Sequence, residues 1–290
     1  MADLHKNKKA GITWKEFEDE YIKKYYYKGA KEVQKHLPNR TISAIQSRAF
    51  VLGIKYLTYN KNYFDVIDTP TKAYWLGFLY ADGYVTSKNR WGLELSYVDI
   101  EHMKNLIKCL EYSGEIKIRN KNGFDNCFFL INNKHMTNSL IDKGIVRNKT
   151  YCLEFPNKNI LNPAFYSHFI RGFFDGDGCI YITHKIVERK DRNNKCYDRI
   201  SKGISIICKM EGFLDSVLSI LEKENIYLHK NLHHQNNLYV IRTSSKNEIQ
   251  KFYDYIYKDS NQTIRLERKY LKFNELLTAT PDSNVRKKIS

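Results

Sequence analysis

The sequence predicts an α+β fold in which two related units follow a small helical domain. A short apolar helix pattern occurs at residues 73–83 and again at 168–178, and both copies end in Asp-Gly. After each copy, strand and helix patterns follow in the same order, helix-strand-strand-helix-strand-strand-helix. Residues 13–54, before the first copy, show helix patterns only. The repeat therefore predicts internal pseudo-twofold symmetry.

Length and charge limit the function classes. A chain of 290 residues has room for one large domain or a few small ones. Its 48 lysines and arginines outnumber its 32 acidic residues, giving a formal net charge of +16, which favours a polyanionic partner. No apolar run is long enough to span a membrane and no signal peptide is present, so we expect a cytoplasmic protein without a membrane partner. The six cysteines lack zinc-ligand spacing, and we expect them to be reduced.

The N-terminal segment, residues 1–57, is predicted to be a three-helix domain. Its helices are expected at residues 14–27, 30–37 and 44–52. Thr13 is the predicted cap of the first helix, and either Thr41 or Ser43 caps the third. Three helices with a tight break before the last are typical of a helix-turn-helix DNA-binding unit. A small bundle that packs against, or contacts, other protein is the alternative.

The third helix is the element that reads DNA in a helix-turn-helix unit. Gln46 and Arg48 would lie on its exposed side and Arg40 precedes it, so these residues are candidate DNA contacts. Residues 58–71 are rich in Tyr, Lys and Asn, and they are predicted to be a linker that ends around Thr69-Pro70.

The rest of the chain is divided into a first half, residues 72–150, a second half, residues 151–280, and a basic tail, residues 281–290. In the first half the helix copy is followed by predicted strands at 84–87 and 93–98, a helix at 100–112, strands at 115–119 and 127–131, and a helix at 134–143. In the second half it is followed by strands at 179–184 and 204–208, a helix at 210–224, strands at 227–232 and 238–243, and helices at 246–257 and 264–277.

The repeated helix carries small residues four positions apart, Gly77 with Ala81 and Gly172 with Gly176. A mid-helix glycine costs about 1 kcal/mol relative to alanine, and close packing of two helices along a stripe of small residues offsets that cost. We therefore predict that the two copies pack against each other. The alternative is two ordinary buried helices, but it leaves the duplicated register unexplained.

Each copy ends at an aspartate followed by a glycine, Asp82-Gly83 and Asp177-Gly178. The two glycines are suited to left-handed helix caps. A carboxylate at a helix C-terminus faces the negative end of the helix dipole, which is unfavourable unless a cation is nearby. Side-by-side packing would bring Asp82 and Asp177 together, so the pattern predicts a divalent-metal site.

These two stretches resemble the paired signature of the LAGLIDADG homing endonucleases. Residues 75–83 and 170–178 match it over its full length, and the essential acidic residue of the family falls on Asp82 and Asp177. The resemblance covers residues 70–278.

The second acidic position of the signature is Tyr80 in the first copy and Asp175 in the second. This departure from the family pattern makes the two halves unequal without removing a predicted metal ligand. Residues 13–54 resemble the Myb/SANT-like modules.

The family resemblance implies a DNA-binding saddle and a site-specific endonuclease that hydrolyses one phosphodiester in each strand of a long asymmetric target. Because both halves lie in one chain, we expect a monomer. Metal-assisted hydrolysis needs a Lewis acid and an activated water, and carboxylates suit Mg²⁺, with Mn²⁺ also expected to be tolerated. The predicted metal-binding residues are Asp82, Gly83, Asp177 and Gly178, and the predicted catalytic residues are the two aspartates with Lys134, Lys209 and Lys246.

Further contacts to double-stranded DNA are predicted on the strands and turns, at Lys88, Arg90 and Arg119. The connection from Lys185 to Lys202 is long for a hairpin and rich in basic residues, and we expect it to lie along the DNA phosphates. Its candidate contacts are Arg189, Lys190, Arg192, Lys195 and Arg199. A solvated flexible loop is the alternative.

Three other functions would use the same composition or scaffold. A transcription regulator could bind DNA without cutting it, although both aspartates being present argues against this. A maturase could bind intron RNA. A structural nucleoid protein could rely on positive charge alone, which would leave the duplicated motif unexplained. We expect a free-standing or intron-encoded protein of a phage, bacterium or organelle.

Overall fold

A computed structural model of the protein describes residues 13–26, 29–54, 58–189, 195–233 and 238–278, with only the backbone described at 150, 184–189, 195–200 and 233. The chain divides into two compact units. The first consists of residues up to 59 together with 111–114, and the second of residues 60–110 together with 115 onward. No described helix is both long enough and apolar enough to cross a membrane.

The first unit contains three short helices, α1 (Glu16–Tyr25), α2 (Ala30–His36) and α3 (Ile42–Val51). Each helix contributes apolar side chains to one small core, and Ile22, Val33 and Ile45 are completely buried there. The three helices of the first unit therefore share one small core.

The N-cap residues of two helices in this unit can be compared with the prediction. Lys15, and not Thr13, is the N-cap of α1, because the Glu18 side chain accepts a hydrogen bond from the Lys15 amide at 2.8 Å. At α3 the choice between Thr41 and Ser43 is settled, since the Thr41 hydroxyl accepts a hydrogen bond from the Ala44 amide at 3.1 Å.

The second unit contains two halves with the same succession of seven elements, and the second half ends in one further helix. The elements of the first half are α4 (Pro70–Asp82), β1 (Gly83–Thr86), β2 (Arg90–Ser96), α5 (Ile100–Cys109), β3 (Lys117–Lys121), β4 (Phe124–Asn132) and α6 (Lys134–Asp142). Those of the second half are α7 (Tyr166–Asp177), β5 (Gly178–Arg189), β6 (Lys195–Cys208), α8 (Glu211–Lys223), β7 (His229–His233), β8 (Leu238–Thr243), α9 (Lys246–Tyr257) and α10 (Glu267–Thr278).

Each half forms a four-stranded antiparallel sheet with the same strand order. The orders are β1-β2-β4-β3 and β5-β6-β8-β7. Side chains alternate along the strands, so that Trp91, Leu93 and Leu95 of β2 are buried while Glu94, on the other face, is partly exposed. The predicted α+β fold with an internal repeat is confirmed.

The segment predicted as a long basic connection is largely a strand pair. β5 continues to Arg189 and β6 begins at Lys195, and their register pairs Lys185 with Arg199 and Arg189 with Lys195. The prediction ended β5 too early, at residue 184, and began β6 too late, at residue 204, because charged residues hide the alternating apolar pattern that marks a strand. Residues 190–194, which include Lys190 and Arg192, lie outside the described part of the chain.

Part of the segment predicted as a linker packs within the second unit. Phe64 is completely buried, and its carbonyl oxygen accepts a hydrogen bond from the Ser139 hydroxyl at 2.9 Å. Asp65 contacts the His135 ring at 2.9 Å. Thr69 then caps α4 by accepting a hydrogen bond from the Lys72 amide.

Helices α4 and α7 pack directly against each other along their small residues. An added Cβ on Gly77 would lie 2.0 Å from the carbonyl oxygen of Phe169, and one on Gly172 would lie 2.0 Å from that of Tyr74. No side chain fits at either position. The close backbone contact therefore offsets the intrinsic cost of the two glycines.

The glycines that end α4 and α7 are not left-handed caps, contrary to the prediction. Gly83 has φ −70° and ψ 153°, and Gly178 has φ −71° and ψ 151°, which are extended conformations open to any residue. Glycine is required here for space, because a Cβ on Gly83 would lie 2.7 Å from the carbonyl oxygen of Leu79 and one on Gly178 2.5 Å from that of Phe174.

Candidate metal centre

The packed helices bring their acidic ends to one place. Gly176 lies against the end of α4, because a Cβ added to it would be 2.2 Å from the Cβ of Ala81 and 3.0 Å from Oδ2 of Asp82. Asp177 follows Gly176 directly. Asp82 is half-buried and Asp177 is exposed, so the pair can be reached from solvent.

The two carboxylates are held in an unfavourable electrostatic environment. Burial and the negative charge of Asp177 raise the pKa of Asp82 to about 6, although the ammonium groups of Lys149 and Lys269 oppose this change. The surrounding protein also raises the pKa of Asp177, and the same two lysines oppose it. Each carboxylate is therefore less stable as an anion here than in water.

Two lysines that are not among the predicted site residues, Lys149 and Lys269, complete the site. Nζ of Lys149 donates hydrogen bonds to the carbonyl oxygens of Leu79, Ala81 and Gly83, at 3.2, 2.6 and 2.6 Å. Nζ of Lys269 donates to those of Phe174, Gly176 and Gly178, at 2.8, 2.9 and 2.6 Å. The acceptors occupy matching positions in the two helix copies. Each lysine thus bonds the carbonyl groups at one helix C-terminus, where the oxygens of Leu79 and Phe174 also accept the amides of Gly83 and Gly178.

Burial lowers the pKa of both lysines to about 8, and nearby carboxylates oppose this change. Lys269 carried a recognisable signal in the sequence, since it lies on the buried face of α10 with Phe273 and Leu276. A lysine in a core-facing helical position needs a partner. Lys149 lies in an irregular segment between α6 and α7, where no periodicity identifies a buried position.

The donor set fits a divalent cation that retains water ligands. Within the described ranges, neither aspartate carboxylate accepts a hydrogen bond. No cluster of three or more His, Cys, Asp or Glu side chains occurs in those ranges, so a metal would have at most two carboxylates. Mg²⁺ is commonly bound in this way, with water and phosphate oxygens completing its octahedron. The predicted ligands Gly83 and Gly178 fit less well, because their carbonyl oxygens accept hydrogen bonds from ammonium groups.

Lys134 and Lys246 lie at the far end of the sheets, which corrects their prediction as catalytic residues. In the first sheet Gly83 is level with Leu93 and Phe129, whereas Asn132, just before α6, is three residues further along β4, about 10 Å away. Lys134 lies beyond that point and is exposed.

The second sheet repeats this arrangement. Gly178 is level with Ile206 and Ile241, and β8 runs away from that level toward Thr243 and then Lys246. Lys209 instead follows β6 past Ile206 at the aspartate end.

Lys209 joins the segment that carries Lys149. Its Nζ lies 3.2 Å from the Tyr151 hydroxyl and 4.3 Å from the centre of that ring. Tyr151 is two residues from Lys149, in the same 3₁₀ turn. The structure therefore places Lys209 near the aspartates but in contact with a tyrosine.

Two of the arginines predicted to contact DNA in the first unit are held in ion pairs. The Arg40 side chain is 7% exposed, and its Nε and Nη2 each lie 2.7 Å from the Glu18 carboxylate. Arg48 is paired with Asp19 in the same bidentate manner. The prediction for Arg40 is corrected, because its buried guanidinium already has a partner. Gln46 is exposed.

The residues of the first sheet that are predicted to contact DNA differ in how exposed they are and in whether they already have a partner. Lys88 is exposed in the β1–β2 turn. Arg119 is half-exposed, pairs with Glu94 and lies over the Phe128 ring. Arg90 is partly buried, and its Nε has no hydrogen-bond partner among the described residues. At Arg189, Lys195 and Arg199 the structure gives the backbone positions only, on β5 and β6.

Comparisons with known proteins gave similar structures only. No protein-family model and no curated protein sequence matches this chain. Among the solved structures, the LAGLIDADG homing endonuclease I-LtrWI bound to target DNA is 13% identical, with a TM-score of 0.45 over 75% of this chain and 90% of the other. The meganuclease I-CpaMI bound to uncleaved DNA is 14% identical, with a TM-score of 0.46 over 72% and 90%. At such values this likeness adds nothing to the conclusions that the geometry supports.

Proposed function

We propose that this protein is a site-specific DNA endonuclease of the LAGLIDADG type that depends on divalent metal ions. The observation that carries the proposal is the pair of aspartates, Asp82 and Asp177, which meet at the ends of two packed helices without hydrogen-bond partners among the described residues. Their duplicated signature and the positive charge of the chain support a DNA substrate.

Asp82 and Asp177 would hold a divalent metal, which we propose to be Mg²⁺, as ligands shared between two nearby cleavage sites, one for each DNA strand. Bound there, the metal would act as a Lewis acid on the scissile phosphate and would lower the pKa of a water nucleophile. Lys149 and Lys269 would not donate hydrogen bonds to the substrate in this conformation, because an ammonium group has three N–H donors and all three are used on carbonyl oxygens. Their role is to fix the helix ends and to place positive charge beside the aspartates.

Double-stranded DNA would lie on the partly polar faces of the two sheets. On the first sheet these faces carry Glu94, Asn126 and Arg119, which form one hydrogen-bonded group. On the second, Arg242 is level with Ser205 and is exposed. Because the two halves differ in sequence and lie in one chain, we propose a monomer that acts on an asymmetric target.

We expect the first unit to contribute contacts to DNA bases more than positive charge toward the phosphates. The exposed side of α3 carries Gln46, Ser47, Phe50 and Val51, while Arg48 is paired with Asp19. Phe50 and Val51 are 85% and 70% exposed. Gln can form paired hydrogen bonds with adenine, and apolar side chains contact the thymine methyl group. This surface therefore suits A·T base pairs in a major groove.

A cleavage selection tests the proposal. A randomised duplex library is incubated with Mg²⁺ and protein, and the cut ends are sequenced, with the Asp82→Asn/Asp177→Asn double variant run in parallel. We expect discrete ends around one long asymmetric sequence, absent with the variant. Tight sequence-specific DNA binding without cut ends from the unaltered protein would contradict the proposal and favour a regulator. Preferential binding of structured RNA would favour a maturase.

A further inference from the structure

Asp175, the second acidic position of the repeated helix, is completely buried and is the acceptor for three donors. Its Oδ1 accepts a hydrogen bond from the Tyr257 hydroxyl at 2.6 Å. Its Oδ2 accepts one from the Tyr74 hydroxyl at 2.9 Å and one from the Leu266 amide at 2.7 Å. The carboxylate thus links α7 to α4, to α9 and to the residue immediately before α10.

The bond to Leu266 holds the residue immediately before α10 against α7. Lys269 lies in the first turn of α10, and its amide donates to the Leu266 carbonyl oxygen at 3.0 Å. Its Nζ then returns to α7 and donates to the carbonyl oxygens of Phe174 and Gly176, which flank Asp175. Asp175 of α7 bonds the backbone just before α10, and Lys269 of α10 bonds the backbone of α7. The two side chains therefore hold the same pair of segments together.

Arg171, one turn earlier on α7, fixes the chain that leads into this segment. Its side chain is completely buried and donates to the carbonyl oxygens of Ile256 and Ile264, at 2.6 and 2.7 Å. The end of α9 and the turn before α10 are thus attached to α7 by two charged side chains.

The first half holds its lysine differently. The residue that matches Asp175 is Tyr80, whose hydroxyl donates to the Lys143 carbonyl oxygen. Lys149 lies in a 3₁₀ turn that follows Asn148, a residue with φ 55°. Among the described residues, no carboxylate anchors this turn to α4 as Asp175 anchors α10 to α7.

We propose that Asp175 is a positioning residue that acts through Lys269 on one of the two cleavage sites only, so that the two DNA strands can be slowed independently. This inference rests on the proposed endonuclease function. The end of α7 next to Asp177 depends on a buried hydrogen-bond network that reaches α4 at Tyr74, in the first half of that helix, whereas the end of α4 next to Asp82 is held by Lys149. Loss of the network would misplace Lys269 and affect cleavage of one strand.

The test measures each strand separately. A duplex containing the selected target carries a different label on each strand, and single-turnover cleavage is followed at saturating protein. With Asp175→Ala we expect one strand to be cut about 10- to 100-fold more slowly, since small misplacements at a reacting centre have effects of that size. The other strand should change by no more than about twofold, and nicked DNA should accumulate.

Two further variants separate positioning from charge and from folding. Asp175→Asn keeps an oxygen for the Leu266 amide and an amide group that the Tyr257 hydroxyl can accept from, so it should restore much of the lost rate. If Asp175→Ala does not fold, the triple variant Tyr74→Phe/Asp175→Leu/Tyr257→Phe removes the hydroxyl donors together with their acceptor, and the groups that lose a partner are the Leu266 amide and Nε2 of His102. It should show the same strand bias. Tyr80→Phe, at the matching position of the first copy, is the control and should leave the strand ratio unchanged.

The outcomes distinguish failure of the proposed endonuclease function from failure of the positioning role of Asp175. If the unaltered protein cuts neither strand, the proposed function fails and this inference fails with it. If the unaltered protein cuts both strands and the Asp175 variants slow them equally, or slow neither, the endonuclease function stands and the positioning role is wrong.

Discussion

Two groups of charged side chains in this chain use similar residue types in opposite ways. In the first unit, the hydrogen bonds from Arg40 hold the pKa of the Glu18 carboxyl below its ordinary value, and the pair is closed to further partners. At the ends of α4 and α7, burial and the negative charge of Asp177 raise the pKa of Asp82 to about 6, and the nearby lysines donate their hydrogen bonds to carbonyl oxygens instead of to the carboxylates. The first arrangement favours folding, and the second leaves carboxylates available to a ligand.

The largest effect is expected from a substitution in the aspartate pair at the ends of α4 and α7. Asp82→Asn keeps the shape of the side chain but removes the charge that would hold the metal. We expect single-turnover cleavage of the selected target to fall by more than about 10³-fold, since losing even one group that stabilises a transition state costs about 10²- to 10³-fold. DNA binding should be retained.

Asp142→Asn is the matched control, because Asp142 is exposed at the end of α6. It should cut at the unaltered rate. Equal activity of the Asp82 and Asp142 variants would exclude Asp82 from the chemistry.

The next largest effect is expected from a substitution in the buried ion pair of Glu18 and Arg40. Glu18→Ala leaves the buried Arg40 guanidinium without its ion-pair partner, and we expect the free energy of unfolding of the first unit to fall by about 3 to 5 kcal/mol. Chemical denaturation followed by circular dichroism measures this loss. Glu20→Ala removes an exposed pair with Lys23 and should cost no more than about 1 kcal/mol. Similar losses in both variants would mean that burial of the Glu18 pair does not matter.

The third prediction concerns how the stability of the folded protein depends on pH. Because the pKa of Asp82 is about 6 in the folded protein and 3.8 ordinarily, the folded state holds more protons than the unfolded state between about pH 4 and pH 6. Stability therefore falls as the pH rises through this window. Without metal at pH 7.5, Asp82→Asn should raise the free energy of unfolding by about 1 to 3 kcal/mol.

At pH 4 the same substitution should change stability by much less, since Asp82 is then largely protonated in the folded protein. Thermal unfolding at the two pH values gives the comparison. A destabilised variant at pH 7.5 would contradict the claim that Asp82 is an unfavourable anion.

The smallest effect concerns the DNA-contacting surfaces. Phe50→Ala should weaken binding to the selected target by about 1 kcal/mol or somewhat more, at A·T positions, without changing the dependence on salt. Lys88→Ala should instead reduce the salt slope by about 0.9 if the lysine contacts one phosphate. Fluorescence anisotropy at several salt concentrations separates the two results. An altered salt slope for Phe50→Ala would rule out base reading by this residue.

Features with a sequence period could be predicted, and features set by contacts between distant segments could not. The repeated helix, the hairpins and the helices of both halves follow from apolar periodicity and from glycine positions, and β8 and α9 have the predicted bounds. The small residues of α4 and α7 indicated their contact because Gly77 and Gly172 recur in the same register.

The lysines of the site show where this reasoning fails. Lys134 and Lys246 were chosen because they follow strands, but the sheet register places them at the end away from the aspartates. Lys149 reaches its three carbonyl oxygens from a segment about 70 residues away in the chain, and no local pattern reports such a contact. The ion pair of Arg40 could not be predicted either, because its partner Glu18 is 22 residues away in the chain.

The most direct test of the central claim is metal binding by the aspartate pair. Mg²⁺ or Mn²⁺ that binds only the folded protein raises its thermal unfolding temperature by mass action, and Mn²⁺ also loses its free-ion electron paramagnetic resonance signal on binding. We expect both changes in the unaltered protein and neither in Asp82→Asn/Asp177→Asn. Equal metal binding by the two proteins, or none by either in the presence of target DNA, would contradict the assignment of Asp82 and Asp177 as metal ligands.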